Sequence, residues 1–452
     1  MYNSDNCDLS QGLKENNLAQ GELPGCGGAK CGAAKPDARA AKKGAAPDST
    51  RSPKFVKIKE KKLRNKKTVE YARKTVAAGA LGADLEGGEL PFRPMSERTL
   101  ERMCDCLTWM KMAAPEDYGK FKKTEGYACR VAFCPSCAAF QSRRDGLKLS
   151  AMMDAMQDLV NVYVPGRYDA ATYDLPHVIR AACEGVEFAL VTLTTPNVKG
   201  PDLKAEESRF AKGFNDMVRL WLARSFGEHY LGYARKLEVT YNRQKIITRE
   251  MWEGAGKYSS PWKWKLKRLG LKVGDRNPFF DTYNPHYHVI LAVTPGFFRA
   301  DGDGAEVPVL REETLLDKWR ELMGDPSITQ VKIQKAYKSR GEGNGATAEL
   351  SKYVAKDADY LYSPKVFRTF YEGLKGCKRL TFGGIFREFH RLFKDDKLAR
   401  YVPVDETDYK WEIEYYWLGR LYSEKDRVTL TSAKADKIRG MKYSETYDTE
   451  DF

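Results

Sequence analysis

The stretch Asn284-Pro-His-Tyr-His-Val-Ile-Leu-Ala-Val293 leaves the chain little choice of local structure. Tyr287, Val289, Leu291 and Val293 alternate with His286, His288, Ile290 and Ala292. Such alternation marks a strand, whose successive side chains point to opposite faces. The first set is apolar on its ring and branched side chains and anchors the strand in a core. The second begins with two imidazoles and turns apolar at Ile290, so the histidines stand at the strand's entrance. They aim the same way, about 7 Å apart along the strand. The sequence has only five histidines, and two ring nitrogens on one rigid element form half of a divalent-metal site.

A candidate third ligand lies upstream. KLEVTYN (236–242) reads as another strand, with Glu238 in phase with Lys236 and Thr240 and out of phase with Leu237, Val239 and Tyr241. On a strand beside the histidines, Glu238 completes a set of one carboxylate and two nitrogens with coordination positions left open. Elsewhere it is an ordinary solvent-facing glutamate. EFALVTLTTPN (187–197) and ITQVKIQKA (328–336) are further strands, whereas SRFAKGFNDMVRLWLARSF (208–226) and TLLDKWRELMG (314–324) carry helical periodicity. The fold class expected is α+β, a central antiparallel sheet with flanking helices.

TAELSKYVAKDADYLY (347–362) reads as a helix after a glycine-rich loop. Glu349, Tyr353 and Lys356 share one of its faces at spacings of four and three. A phenolate can attack a phosphodiester, a carboxylate can activate water or another hydroxyl, and an ammonium can offset phosphate charge. A plain exposed helix face with a tyrosine at its edge is the competing reading. Tyr360 and Tyr362 follow, with Tyr360 about two turns along the same face. Only Tyr353 has a glutamate four residues before it and a lysine three after.

Five cysteines fall between 104 and 137: Cys104, Cys106, Cys129, Cys134 and Cys137. Cys134-Pro-Ser-Cys137 is a CxxC knuckle, Cys129 lies close before it, and Cys106 is preferred over Cys104 as the upstream member. Four thiolates in tetrahedral array suit structural Zn2+. Cys26 and Cys31 have no matching pair nearby. The formal charge of +14 favours an anionic partner, and nucleic acid fits best. Arg143 and Arg144 follow the knuckle, and Trp262, Lys263, Trp264, Lys265, Lys267 and Arg268 interleave rings with cations as single-stranded DNA contacts do. A basic β-ribbon with a structural tryptophan pair is the alternative for that segment.

TLTTP, then NPHYHVILAV, then ELSKYVAKDADY closely resemble, in order, motifs I, II and III of plasmid rolling-circle replication initiators, which are HUH endonucleases. The resemblance covers roughly 100–360 and is to the single-tyrosine type with a glutamate one turn before the nucleophile; related initiators also carry cysteines before motif I. It implies a ferredoxin-like palm, with His286, His288 and, less directly, Glu238 holding Mn2+ or Mg2+. It implies that Tyr353 attacks single-stranded origin DNA to give a 5′-phosphotyrosine and a priming 3′-OH, that Glu349 acts in the closing step, and that Lys356 offsets phosphate charge. Supercoiled plasmid origin DNA and a host helicase and polymerase are the partners it implies.

Four regions are expected: a disordered basic tail over 1–89, a zinc-knuckle region over 90–150, an endonuclease domain over 151–363, and a C-terminal region over 364–452 with no assigned role. The tail includes KFVKIKEKKLRNKK (54–67), with eight basic residues and one acidic, which would add sequence-independent phosphate affinity. With no apolar run of ~18–20 residues and no secretory h-region, the expected location is the cytoplasm, away from membranes. Competing functions are a relaxase or HUH transposase, a non-enzymatic zinc-dependent DNA-binding regulator, and a metal hydrolase. The last is disfavoured, because only His177, His229 and His390 remain to extend a histidine-rich site.

Overall fold

The alternating stretch at 284–293 lies at the centre of a five-stranded sheet. A computed structural model describes residues 48–80, 95–158, 185–254, 260–302, 304–336, 350 and 356–441. The chain begins with α1 (Pro53–Ala80), α2 (Glu97–Asp105), β1 (Trp109–Ala114), β2 (Lys122–Gly126) and α3 (Pro135–Gln157). It continues with β3 (Glu187–Thr194), α4 (Leu203–Asp216), β4 (Tyr230–Asn242), α5 (Arg249–Glu253), α6 (Ser260–Arg268) and β5 (Thr282–Val293). A small pair, β6 (Phe298–Ala300) and β7 (Glu306–Pro308), precedes α7 (Glu312–Met323), β8 (Val331–Lys335) and the single turn α8 (Asp357–Tyr360). The remainder is α9 (Pro364–Leu374), β9 (Leu380–Gly384), α10 (Ile385–Lys394), β10 (Trp411–Trp417), β11 (Tyr422–Thr429) and α11 (Ser432–Gly440).

The central sheet has the order β8-β3-β5-β4-β9 and is antiparallel throughout. This is the α+β class that the alternating segments specify. Val191, Leu193, Val239, Tyr287, Val289 and Leu291 pack on one face against Phe210 and Phe214 of α4, Trp319 of α7 and Phe370 of α9. On the other face, Phe188, Ala234, Ile290 and Ala292 meet Met152 and Met156 of α3 and Phe386 and Phe389 of α10. The sheet is thus buried between helices on both sides. A second sheet, β11-β10-β1-β2, has its own core of Met110, Met112, Ile413, Tyr415 and Tyr422. Among the described residues, no helix is long and apolar enough to cross a membrane.

Several expectations need correction. Residues 53–80, expected within a disordered tail, form α1. Its cations hide a buried face: Phe55, Val69 and Ala72 are covered, Lys62 Nζ donates to the carbonyls of Cys104 and Cys106 at 2.7 and 2.6 Å, and Asn65 Nδ2 donates to that of Met103 at 2.6 Å. Helix formation there is held by tertiary contacts rather than propensity. The expected tail over 1–47 and 81–89 lies outside the described residues.

The boundary expected at 150/151 falls inside α3, and the one at 363/364 separates pieces of one core. β9 pairs with β4 in the central sheet, and β10 pairs with β1 across some three hundred residues of chain. The segment weighed as a β-ribbon is the helix α6. It packs with α5 through Ile247, Met251 and Leu266, forming a small lobe between β4 and β5.

Candidate functional site

Register brings the first constellation together. In the β4–β5 ladder Glu238 is opposite His286, and Lys236 is opposite His288, and residues paired in this way share a face. Glu238 Oε2 lies 3.4 Å from His286 Nε2 and 3.2 Å from His288 Nε2. The ligand atoms of all three residues fall within 4.8 Å of one another. The carboxylate is the buried member, its side chain 4% exposed against 14% and 12% for the imidazoles. His286 Nδ1 is 3.3 Å from the Asn284 carbonyl oxygen, and His288 Nδ1 is 3.4 Å from Thr192 Oγ1 on β3. Contacts on Nδ1 leave Nε2 for a metal and set the ring orientation.

Burial alone would push the Glu238 carboxyl up. The contacts with His286 and His288, with the charges of His286 and Lys356, outweigh it and hold the group far below the ordinary carboxylate range. Two nitrogens and an ionised carboxylate, with other positions open, fit a divalent ion that must also accept substrate oxygen.

Lys356 reaches this set, its Nζ 3.4 Å from Glu238 Oε1. Glu349 and Tyr353 lie outside the described residues. The described residues that flank Tyr353 are Leu350, buried in the cluster on the triad's face of the sheet, and Lys356. The expectation of one helix running to 362 is not met, because Lys356 lies outside any helix and α8 begins after it. The ring of Tyr360 is buried and its hydroxyl donates to the Phe133 carbonyl at 3.1 Å. Tyr362 packs its ring on Tyr241 at 5.5 Å between centroids.

The second constellation is Cys106, Cys129, Cys134 and Cys137, all buried. Cys106 caps α2, Cys134 caps α3, and Cys137 lies in the first turn of α3, after Pro135 at its start. Sγ of Cys106 is 3.6 Å from those of Cys134 and Cys137, and Sγ of Cys129 is 3.6 Å from that of Cys137. Tetrahedral zinc with Zn–S bonds of ~2.3 Å sets its sulfurs roughly 3.8 Å apart, so the donor set fits. Contacts with the other three sulfurs hold the Cys106 thiol well below its usual range, while Cys129 and Cys134 are pushed up. Cys104 is not in the group.

Two lysines that the sequence reading did not single out serve this cluster. Lys62 supports its backbone, and Lys123 is brought down to about 8 by burial against the opposing pull of Cys106 and Cys137.

The residues expected to contact DNA are dispersed. Arg143 is exposed and Arg144 half-buried on α3. On α6, Trp264 is 65% exposed, with Lys267 Nζ 5.2 Å above its ring, and Arg268 is exposed while Lys263 is half-buried. Lys265 departs from the expected cationic row: it is half-buried with Nζ 4.0 Å from the Phe279 ring, and burial lowers its pKa. The Trp262 side chain lies outside the described residues. None of these residues belongs to either metal-ligand group.

Sheet, helices and side-chain groups together define an α+β protein with two candidate metal centres among the described residues. A family model described as "Replication protein" matches residues 168–422, more than half of the chain. The chain belongs to this family of replication proteins, the plasmid replication initiators that its motifs resemble. It is similar to "Protein rep" of Staphylococcus aureus, 28% identical over 269 residues, covering 60% of this chain and 87% of the relative. It is also similar to "Protein rep" of Bacillus amyloliquefaciens, 23% identical over 347 residues, covering 72% and 84%. A third relative, "Protein rep" of Streptococcus pneumoniae serotype 2, is 23% identical over 305 residues, covering 67% and 73%. No solved structure matches.

Proposed function

We propose that the chain initiates rolling-circle replication by nicking one strand of a plasmid origin through a covalent tyrosine intermediate. The observation that supports this most is the convergence of Glu238, His286 and His288, with Lys356, three residues after Tyr353, on the same carboxylate. His286, His288 and Glu238 would hold Mn2+ or Mg2+, which supplies Lewis-acid polarisation of the scissile phosphate. The Tyr353 oxygen attacks phosphorus; the bond to the 3′ oxygen breaks, leaving a 5′-phosphotyrosine and a free 3′-OH. Lys356 offsets charge on the phosphate and favours the phenolate, since a free tyrosine has a pKa of ~10. Glu349 takes a proton from water or from a second hydroxyl, whose oxygen attacks phosphorus as the bond to the Tyr353 oxygen breaks, and the strand is released. Arg143, Arg144 and the exposed residues of α6 add phosphate and base contacts. A host helicase and polymerase would take over at the 3′-OH.

The test is incubation of the protein with end-labelled single-stranded origin DNA and Mn2+. A labelled species that survives denaturation is expected, and its absence at every Mn2+ concentration would overturn the nicking reading.

The cysteine cluster is proposed to hold structural Zn2+. Four thiolates around a dication keep a net negative charge, which Lys62 and Lys123 are placed to offset. Protein purified without a metal-binding tag is expected to carry one zinc per chain by atomic emission. Cys137→Ser should lose that zinc and lower the thermal midpoint, because zinc binding and folding are coupled, by on the order of 10 kcal/mol in small zinc modules. Zinc-free protein with an unchanged midpoint would refute the assignment.

A further inference from the structure

The hairpin that joins β10 to β11 ends in four exposed residues, Leu418-Gly419-Arg420-Leu421. Tight turns are ordinarily built from Gly, Asn, Asp and Ser. Here two leucines flank the central pair, 65% and 51% exposed. A single surface leucine is common, but two side by side at a hairpin apex leave apolar surface in water that a partner would cover.

The tip is held stiffly. Trp417 pairs with Tyr422, and the Leu418 N–H donates to the Leu421 carbonyl at 2.8 Å. Only two central residues remain, and Gly419 at φ +86° takes the positive angle that so short a turn needs. Trp417 and Tyr422 pack on the core of the second sheet, their ring centroids 4.9 Å apart. Alternation therefore directs Leu418 and Leu421 away from that core. The hairpin is also fastened to the backbone just after Cys106. The Trp417 N–H donates to the Thr108 carbonyl at 2.8 Å, and the Tyr422 hydroxyl donates to the Leu107 carbonyl at 2.7 Å.

Charge at the tip is positive. Arg420 is exposed and has no ion pair among the described residues. Lys425 is exposed as well, its Nζ 4.7 Å above the Tyr416 ring. The nearest carboxylates along the chain are engaged elsewhere. Glu414 accepts from Trp109 Nε1 and the Tyr416 hydroxyl, and Glu424 accepts from Ser49 and Arg427.

We propose that this tip is a wedge for duplex DNA, with Leu418 and Leu421 entering between neighbouring base pairs and Arg420 meeting a flanking phosphate. Leucine is among the side chains that DNA-kinking proteins insert at base steps, and its burial against base faces offsets the lost stacking. A protein partner fits less well. Stable protein interfaces bury ~1,000 Å² or more, whereas the apolar surface here gives way at once to Arg420 and Lys425. The inference takes origin DNA as partner from the function proposed above and adds to it the opening of the duplex.

The test uses the full chain and double-stranded origin fragments that carry 2-aminopurine, a base analogue whose fluorescence rises on unstacking, at successive positions. In the wild type the signal should rise at adjacent positions within the bound region and stay flat elsewhere. Leu418→Ser combined with Leu421→Ser should cut the opened fraction at least ~10-fold, the scale set by two leucine side chains left in water. Its affinity for single-stranded origin DNA should stay within about twofold and its thermal midpoint should not move, as for other surface substitutions. Arg420→Gln should keep the position of the rise and reduce the salt slope of duplex binding by about 1. Absence of any rise in the wild type, or an equal rise in the double variant, would overturn the proposal. An equal rise together with lost plasmid replication in a host extract would make the tip a protein-docking site instead. Failure of the nicking reading shows separately, as absence of the Mn2+-dependent covalent species on single-stranded DNA.

Discussion

Tyr353→Phe is expected to abolish nicking and the covalent adduct together while leaving origin affinity within about twofold of wild type. The substitution removes one oxygen and keeps the ring, so packing and charge are preserved while the nucleophile is lost. The expected fall in rate is on the order of 10⁴-fold or more, the scale seen when a covalent nucleophile is deleted. The neighbouring phenols offer no ready replacement. Tyr360 is buried with its hydroxyl committed to the Phe133 carbonyl, and Tyr362 packs its ring against Tyr241. The readout is a denaturing gel of end-labelled origin oligonucleotide with Mn2+, beside anisotropy on the same DNA. Adduct persisting in the variant would move the nucleophile elsewhere, and affinity lost in parallel would make Tyr353 a binding residue.

The features legible in the sequence are those whose cause is local. Alternation specifies β5, β4, β3 and β8, and Gly324 after a periodic run ends α7 in a left-handed residue. The juxtaposition of Glu238 and His286 was legible for a related reason: both stand out of phase with apolar neighbours, so pairing the two strands with their apolar sides in the core must bring the polar sides together. What escaped depends on distant chain. Nothing near Trp411 announces that β10 will pair with β1, and that pairing dissolves the expected C-terminal region. α1 escaped for a different reason. Its buried face includes Lys62, Asn65 and Thr68, which hydropathy counts as solvent-facing, and carbonyls at the end of α2 receive the first two. The Trp-Lys-Trp-Lys alternation of α6 imitated a strand, yet its buried contact is Leu266, with Lys265 laid over a ring.

Glu238→Gln should separate metal binding from the scaffold that carries it. The amide keeps the shape of the carboxylate and can still meet the imidazoles, but it brings no charge to a metal and none to Lys356. Loss of even an outer contact to a metal ligand costs ~10–100-fold in affinity or activity, so removal of a candidate ligand should cost at least as much. Mn2+ titrations of nicking are therefore expected to shift to at least ~10-fold higher concentration, with part of the activity restored at saturating Mn2+. Zinc content should not move, because the four cysteines are held by α1, α2, α3 and the loop after β2 rather than by β4. Histidine substitutions are a poorer first probe, because each removes a contact from the buried Glu238 carboxylate as well as a candidate ligand, and so mixes a change in stability with a change in metal binding. If the Mn2+ dependence of Glu238→Gln equals that of the wild type, the carboxylate orients the two imidazoles without binding metal itself, and the third ligand must come from another residue or from the substrate.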